Sequence, residues 1–155
     1  MDFHGSVRAL LSGRKKLADM NLIVCLDEGY GISFFGKRQS MDRVLREKAL
    51  CLTEGKPLWM DMYSAGQFRK EAEQIIADNQ YWEKMSADDW CFFELGDPQM
   101  LLPMTDRLAV FHWNREYPAD KTFPMARIRA NSTLCYTETF TGSSHENITL
   151  EVYQL

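Results

Sequence analysis

The sequence lacks the residue spacing that metal and redox sites need. No pair among its four cysteines has the C-x-x-C spacing of zinc or thiol-exchange motifs, and its three histidines have no cysteine or carboxylate in metal-ligand spacing. We therefore expect no metal ion, and reduced cysteines as in a cytoplasmic protein. The residues concerned are Cys25, Cys51, Cys91, Cys135, His4, His112 and His145.

Long apolar runs and an excess of positive charge are missing as well. Arg8, Arg14, Lys15 and Lys16 interrupt any stretch near the start that could serve as a signal peptide or a membrane span. The formal net charge is −4, and residues 14–16 form the one local basic cluster. Because binding to a nucleic-acid backbone depends on clustered Lys and Arg, we expect no nucleic-acid partner and no membrane association.

The composition that remains is that of one globular domain. The chain has 155 residues, of which 45% are hydrophobic and 26% charged. A domain of this length buries about 70% of the surface that its unfolded chain exposes. We see no internal repeat or low-complexity segment, so we expect one folded core.

Four short apolar runs predict buried strands, over residues 22–26, 58–60, 90–93 and 108–113. They are continuous rather than alternating, which is typical of strands covered on both faces in an α/β sheet. Apolar residues at helical spacing predict a helix over residues 41–52, with Ser40 as its N-cap. A second helix is predicted from Ala65 to about Met85, with an apolar stripe that includes Phe68 and Ile75.

The C-terminal part changes pattern. Residues 134–140 and 148–153 alternate between apolar and polar and are separated by a Gly-Ser-Ser turn, which predicts an antiparallel hairpin. The string Ser-Ser-His-Glu at residues 143–146 is expected in the hairpin loop, since catalytic triads are assembled by geometry and not by adjacency. The predicted fold class is therefore α/β, with a mostly parallel central sheet, flanking helices and a C-terminal antiparallel hairpin.

Four stretches of the chain resemble dihydrofolate reductase and follow that family's order. They are residues 20–32 (MNLIVCLDEGYGI), 92–96 (FFELG), 101–108 (LLPMTDRL) and 120–124 (DKTFP). The resemblance covers about residues 20–124 and extends more loosely through the hairpin. It implies a single dihydrofolate-reductase-like domain over residues 20–155, preceded by an extension over residues 1–19 that could form a short helix.

The resemblance places the family's catalytic carboxylate at Leu45. In that family the acid holds the pterin ring and assists protonation, and leucine can do neither. Positioned acid–base groups contribute about 10²- to 10⁴-fold in rate, so the conventional mechanism should be impaired. Asp42 is the one substitute on nearly the same helix face; its alternative interpretation is a solvated residue of the first helical turn. The loop carboxylates Asp27 and Glu28 are further candidates.

The cofactor side also differs from the family. Reductases place Gly-Arg-x-Thr at the helix start that receives the NADPH phosphates, whereas this chain has Asp-Met-Tyr-Ser at residues 61–64. Asp61 adds a negative charge, and no arginine stands there. The positions that the resemblance assigns to the cofactor are Cys25, Ile32, Ser64 and Gly96, and NADPH binding is expected to be weak or absent.

The substrate side is reduced as well. The resemblance assigns the ligand pocket to Val24, Leu45, Ala49 and Phe111, and Phe111 replaces a pterin-contacting threonine. The region between Phe68 and Trp90 is short, and no arginine in it matches the one that binds the folate glutamate. We expect an apolar crevice at the carboxyl ends of the strands.

Three hypotheses follow. The first is a dihydrofolate-reductase-like protein with a remodelled ligand crevice and without effective folate reduction. The second is an active but divergent NADPH-dependent reductase, with Asp42, Asp27 or Glu28 as the acid. The third is a non-catalytic interaction protein, for which an exposed sheet edge after Phe68 would favour a homodimer.

Overall fold

The computed structural model describes residues 19–68 and 73–155. The proposed extension over residues 1–19 lies, apart from Asp19, outside this part. The strands are β1 (Met20–Leu26), β2 (Gly31–Phe34), β3 (Lys37–Arg38), β4 (Leu58–Met60), β5 (Ile75–Ala77), β6 (Trp90–Phe92), β7 (Thr105–His112), β8 (Lys121–Thr122), β9 (Thr133–Phe140) and β10 (Ile148–Gln154). The helices are α1 (Arg43–Leu52), α2 (Met62–Ala65), α3 (Pro98–Leu101) and α4 (Met125–Ala130), with 3-10 turns at Tyr81–Glu83 and Leu102–Met104.

A seven-stranded sheet with the order β5-β4-β6-β1-β7-β10-β9 forms the centre. Strands β5, β4, β6, β1 and β7 run parallel to one another, whereas β10 is antiparallel to both β7 and β9. The predicted mostly parallel sheet and the C-terminal hairpin are both confirmed.

Strand β1 lies between β6 and β7, and all seven of its residues are buried. Its side chains alternate between two apolar clusters, one on each face of the sheet. Leu22, Val24 and Leu26 belong to one cluster, while Ile23 and Cys25 belong to the other, beneath α1. A continuous apolar run is therefore what this position requires.

Helix α1 begins at Arg43, two residues later than predicted, and its N-cap is Asp42 instead of Ser40. The Asp42 carboxylate accepts hydrogen bonds from the N–H groups of Val44 and Leu45, which lack partners within the helix. Leu45 and Ala49 are the residues of this helix that are buried against the sheet.

The predicted helix from Ala65 to Met85 is wrong. Residues 69–72 lie outside the described part; beyond them, Ile75–Ala77 form β5, which pairs in parallel with β4. Adjacent Ile75 and Ile76 suit a strand because β-branched side chains pack well on a pleated surface. The pairing of β5 with β4 at the edge of the sheet outweighs the weak helical spacing of the apolar residues in this segment.

A second, three-stranded sheet with the order β3-β2-β8 is antiparallel. It places Arg38 and the two residues that follow it beside Cys25 and Glu94 at the end of the main sheet. Within residues 19–68 and 73–155, no helix is long and apolar enough to cross a membrane.

Candidate functional site

The crevice at the carboxyl ends of the strands is largely filled by side chains of the protein itself. Cys25 and Glu94 reach it from the ends of β1 and β6, and Ile32 and Arg38 reach it from the small sheet. The gap that remains has a volume of about 10 Å³, room for about one water molecule. Typical ligand pockets measure about 300–1,000 Å³, so the crevice is closed in this conformation.

Glu94 is the central group of the crevice. Its side chain is only 7% exposed, yet it carries a carboxylate. Ser64 Oγ donates a hydrogen bond to Glu94 Oε1 at 2.8 Å, and Gln67 Nε2 donates to the same oxygen at 2.9 Å. A buried carboxylate needs such partners, because an unpaired charge in the interior is very costly.

Arg38 supplies the opposite charge. Its Nε lies 3.0 Å and 3.2 Å from the two Glu94 carboxylate oxygens, and Nη2 donates to the Tyr63 carbonyl at 3.1 Å. The guanidinium carbon stands 4.2 Å from the centre of the Tyr63 ring, in the position of a cation–π contact. The expected apolar crevice is therefore wrong: a buried ion pair occupies it.

The Cys25 thiol faces this ion pair. Burial, followed by the negative charge of Glu94, raises the pKa of Cys25 well above its usual value, and Arg38 offsets only part of this. Cys25 is therefore a neutral thiol at physiological pH. It fills space in the crevice and does not supply a nucleophile.

Three of the four residues assigned to the cofactor meet around Glu94. Cys25 and Ile32 line the gap, and Ser64 is hydrogen-bonded to the carboxylate. Gly96 lies beyond them in an exposed turn at φ +114°, which favours glycine. Their role in binding a cofactor stays a prediction.

The residues assigned to the substrate pocket are not all brought together. Leu45, Ala49 and Phe111 pack in the cluster beneath α1, and each is at most 2% exposed. Val24 points to the opposite face of the sheet and belongs to the other cluster. Leu45 at the family's acid position is therefore part of a dry core.

Asp42 is not a solvated residue of the helix start; it is 2% exposed. Besides the helix N–H groups, it accepts hydrogen bonds from the backbone N–H groups of Ser143 and Ser144 and lies 3.0 Å from His145 Nδ1. These bonds occupy both carboxylate oxygens. The structure gives Asp42 a capping role, and its role as a reductase acid stays a prediction.

The carboxylate of Asp27, in the loop after β1, is also engaged in hydrogen bonds within the protein. It is 3% exposed and accepts hydrogen bonds from the N–H groups of Gly29, Gly31 and Tyr117. Glu28 is exposed and lies beside a wide surface depression. Neither carboxylate lines the gap around Glu94.

The residues that the resemblance assigns to the NADPH phosphates do not suit an anion. At the helix start that would face the phosphates, Asp61 caps α2 by accepting a hydrogen bond from Ser64 N at 2.7 Å. The Glu94 carboxylate lies further into the crevice, where it accepts a hydrogen bond from Ser64 Oγ. Two carboxylates stand where an anion would need donors.

The His112 ring is hydrogen-bonded to Glu151. Its Nε2 lies 2.6 Å from Glu151 Oε1, which also binds Arg129. Burial lowers the pKa of His112, although Glu151 acts in the opposite direction. Among the described residues, no group of three or more His, Cys, Asp or Glu side chains could hold a metal ion.

The sheet order, the parallel core strands and the crevice at their carboxyl ends define an open α/β protein with an antiparallel C-terminal hairpin. It is similar to a solved structure of dihydrofolate reductase from Enterococcus faecalis, complexed with NADP(H) and RAB-propyl, with a TM-score of 0.59. The match covers 89% of this chain and 98% of that one at 13% identity. No family model matches, and no curated protein matches. The chain therefore has the dihydrofolate reductase fold, which confirms the resemblance seen in the sequence.

Sequence reasoning missed Glu94 and its partners. Glu94 stands within a stretch that carries the resemblance, directly after a buried strand, and its charge was the available signal. Arg38, Ser64 and Gln67 could not be assigned to it, because they lie 56, 30 and 27 residues away in the chain.

Proposed function

We propose that this protein is a dihydrofolate-reductase-like domain that does not reduce dihydrofolate with NADPH, and whose crevice binds a positively charged group. The observation that carries the proposal is the buried Glu94 carboxylate at the end of β6. It is held by Ser64 and Gln67 and is neutralised by Arg38.

Three further features support the loss of reduction. Leu45 at the family's acid position is buried in the core, so it offers no proton and no acceptor. Asp61 and Glu94 would repel the cofactor phosphates. The gap of about 10 Å³ has no room for a nicotinamide or a pterin in this conformation.

Arg38 indicates the kind of ligand that suits the site. Its guanidinium pairs with a carboxylate, donates to a carbonyl and lies over an aromatic ring. A ligand with a guanidinium or amidinium group can make the same contacts if the Arg38 side chain swings out. Arg38 then acts as an internal competitor for the site.

The first test is calorimetric titration with NADPH, with and without dihydrofolate, followed by a spectrophotometric turnover assay. We expect no binding at about 1 mM NADPH and no oxidation. Micromolar binding with turnover would overturn the proposal and support the alternative of a divergent reductase. Asp42→Asn, Asp27→Asn and Glu28→Gln would then identify its acid.

The second test replaces the internal competitor. We expect Arg38→Ala to bind methylguanidinium at least about tenfold more tightly than the wild type, because Glu94 has lost its partner. Adding Glu94→Gln should abolish the gain. The matched control is Arg43→Ala, which removes a pair with Glu47 whose side chains are 59% and 55% exposed. Equal affinity in Arg38→Ala and Arg43→Ala would contradict a cation site at Glu94.

A further inference from the structure

Ser40, His145 and Asp42 form a line of three hydrogen-bonded side chains beside the crevice. Ser40 Oγ lies 3.0 Å from His145 Nε2, and His145 Nδ1 lies 3.0 Å from Asp42 Oδ2. An ionised carboxylate only accepts hydrogen bonds, so Asp42 keeps the proton on Nδ1 and leaves on Nε2 one lone pair, for which the Ser40 and Tyr117 hydroxyls compete as donors. A hydroxyl, an imidazole and an orienting carboxylate in this order define the triad of serine hydrolases.

Packing holds the imidazole in one orientation. The Trp113 ring stacks on His145 with the ring centres 4.5 Å apart, and His145 is only 6% exposed. Asp42 is itself fixed by backbone N–H groups of α1 and of the hairpin loop. The arrangement is preorganised, because neither the base nor its orienting group has to move before reaction.

Ser40 opens into the gap at the crevice. It is half-buried, and the gap is bordered by the apolar side chains of Ile32, Phe93 and Trp113 as well as by the ion pair of Arg38 and Glu94. The cavity that Ser40 lines has a volume of about 10 Å³, room for about one water molecule, so it limits the acyl group to the shortest carboxylic acids.

Tyr117 supplies a donor at the same place. Its hydroxyl lies 2.8 Å from His145 Nε2 and 3.4 Å from Ser40 Oγ. When Nε2 takes up a proton, it can no longer accept a hydrogen bond from the Tyr117 hydroxyl. That hydroxyl is then free to donate to a negative oxygen forming on a carbonyl at Ser40, as donors of oxyanion holes do.

We propose that Ser40 is the nucleophile of an acyl-transfer site that hydrolyses esters of short carboxylic acids. The Ser40 hydroxyl adds to the ester carbonyl carbon while its proton passes to His145 Nε2. The bond from carbonyl carbon to the alcohol oxygen then breaks, and the alcohol leaves with that proton. Water attacks the acyl-Ser40 carbonyl in the same way, with His145 as base, and releases the carboxylic acid.

Labelling with a fluorophosphonate probe tests the nucleophile without knowledge of the natural ester. We expect mass spectrometry to find the adduct at Ser40, and p-nitrophenyl acetate to be hydrolysed at a rate that falls about 10²- to 10⁴-fold in Ser40→Ala and in His145→Gln. The matched control is Ser132→Ala. Ser132 lies just after the C-terminal end of α4, and its hydroxyl donates a hydrogen bond to the Ile128 carbonyl. No adduct at Ser40 in the folded wild type, or equal labelling in His145→Gln, would overturn the proposal.

A second variant keeps the test decisive if His145→Gln does not fold. Ser40→Cys places a thiol against His145 Nε2, and we expect iodoacetamide to alkylate position 40 at least about tenfold faster than the exposed Cys51 and Cys135. Alkylation no faster than at those two thiols would contradict an activating histidine. These assays contain no nucleotide, so their outcome is independent of whether the crevice binds NADPH or a cation.

Asp42 is a positioning residue in this proposal. The ¹⁵N chemical shifts of His145 should report a proton on Nδ1 in the wild type and a mixture of tautomers in Asp42→Asn. We expect labelling of Ser40 to be lower in Asp42→Asn than in the wild type, measured at a temperature where this variant is still folded. An unchanged tautomer, or unchanged labelling, would contradict the role.

Discussion

At the scale of single residues, the Asp42 carboxylate joins two parts of the chain that lie about a hundred residues apart. It caps α1, binds the loop between β9 and β10, and contacts His145, which lies 103 residues further along. Burial alone would raise the pKa of Asp42, but hydrogen bonds from Ser144, Ser143 and His145 outweigh it and hold the pKa well below its usual range. Asp42 is therefore ionised in the folded protein even in moderately acid solution.

We expect Asp42→Asn to lower the free energy of unfolding by about 2–4 kcal/mol at pH 7, because an amide nitrogen would face donors that now bind a carboxylate oxygen. Denaturant unfolding measures this change. The control is Asp97→Asn at the exposed cap of α3, where asparagine caps about as well as aspartate. Equal losses in the two variants would contradict the role of the buried network.

The pH dependence of that loss follows from the depressed pKa. In the unfolded chain Asp42 has a pKa of about 4, so below this pH it binds a proton there while it stays ionised in the folded protein. The stabilisation is therefore complete above this pH and decreases below it. The difference in unfolding free energy between wild type and Asp42→Asn should therefore shrink between pH 7 and pH 3. A constant difference across that range would show that ionisation is not the source.

At the scale of elements, the loop between β9 and β10 fits against α1 with no space to spare. A Cβ atom built on Gly142 would overlap the Asp42 carboxylate and stand 2.9 Å from Ile148 Cδ1. We expect Gly142→Ala to cost about 1–3 kcal/mol in thermal or denaturant unfolding, since the loop must move away from the helix. Gly29→Ala, whose Cβ would meet Asp27 Oδ1 at an ordinary 3.6 Å, is the control and should be nearly neutral.

The elements that the sequence predicts correctly are those with a strong apolar pattern. Strands β1, β4 and β6 are buried on both faces, and their runs can hardly be anything else in a domain of this size. The sequence predicts a helix where β5 lies, because the apolar pattern of three residues is too short to distinguish a strand from a helix. The pairing of these residues with β4 depends on tertiary contacts. The sequence predicts Ser40 as the N-cap of α1, where the structure has Asp42, for a similar reason. The loop partners of Asp42 lie about a hundred residues away along the chain.

At the scale of the whole molecule, the two edges of the large sheet are β5 and β9. Strand β5 has three residues, whereas β9 has eight and exposes Leu134 and Tyr136, at 48% and 51% of their surface. Long exposed edges invite pairing with a second chain. We propose a homodimer formed along β9, rather than along the edge after Phe68 that the sequence suggested.

Light scattering coupled to size-exclusion chromatography tests this proposal. We expect a dimer for the wild type and a monomer for Tyr136→Lys, because a charge on the exposed edge opposes pairing. Ile76→Lys on the short β5 edge, where Ile76 is 36% exposed, is the control and should remain dimeric. A monomeric wild type at about 100 μM would contradict the proposal.

The order of strands in the sheet has a consequence for synthesis on the ribosome. Strand β1 is synthesised before its neighbours β6 and β7, which begin 70 and 85 residues later, and β10, which covers β7, begins 43 residues after β7 does. A nascent chain therefore holds an apolar central strand without partners and an α1 start without its loop. We expect this protein to depend on chaperones that shield the nascent chain until β10 has been synthesised.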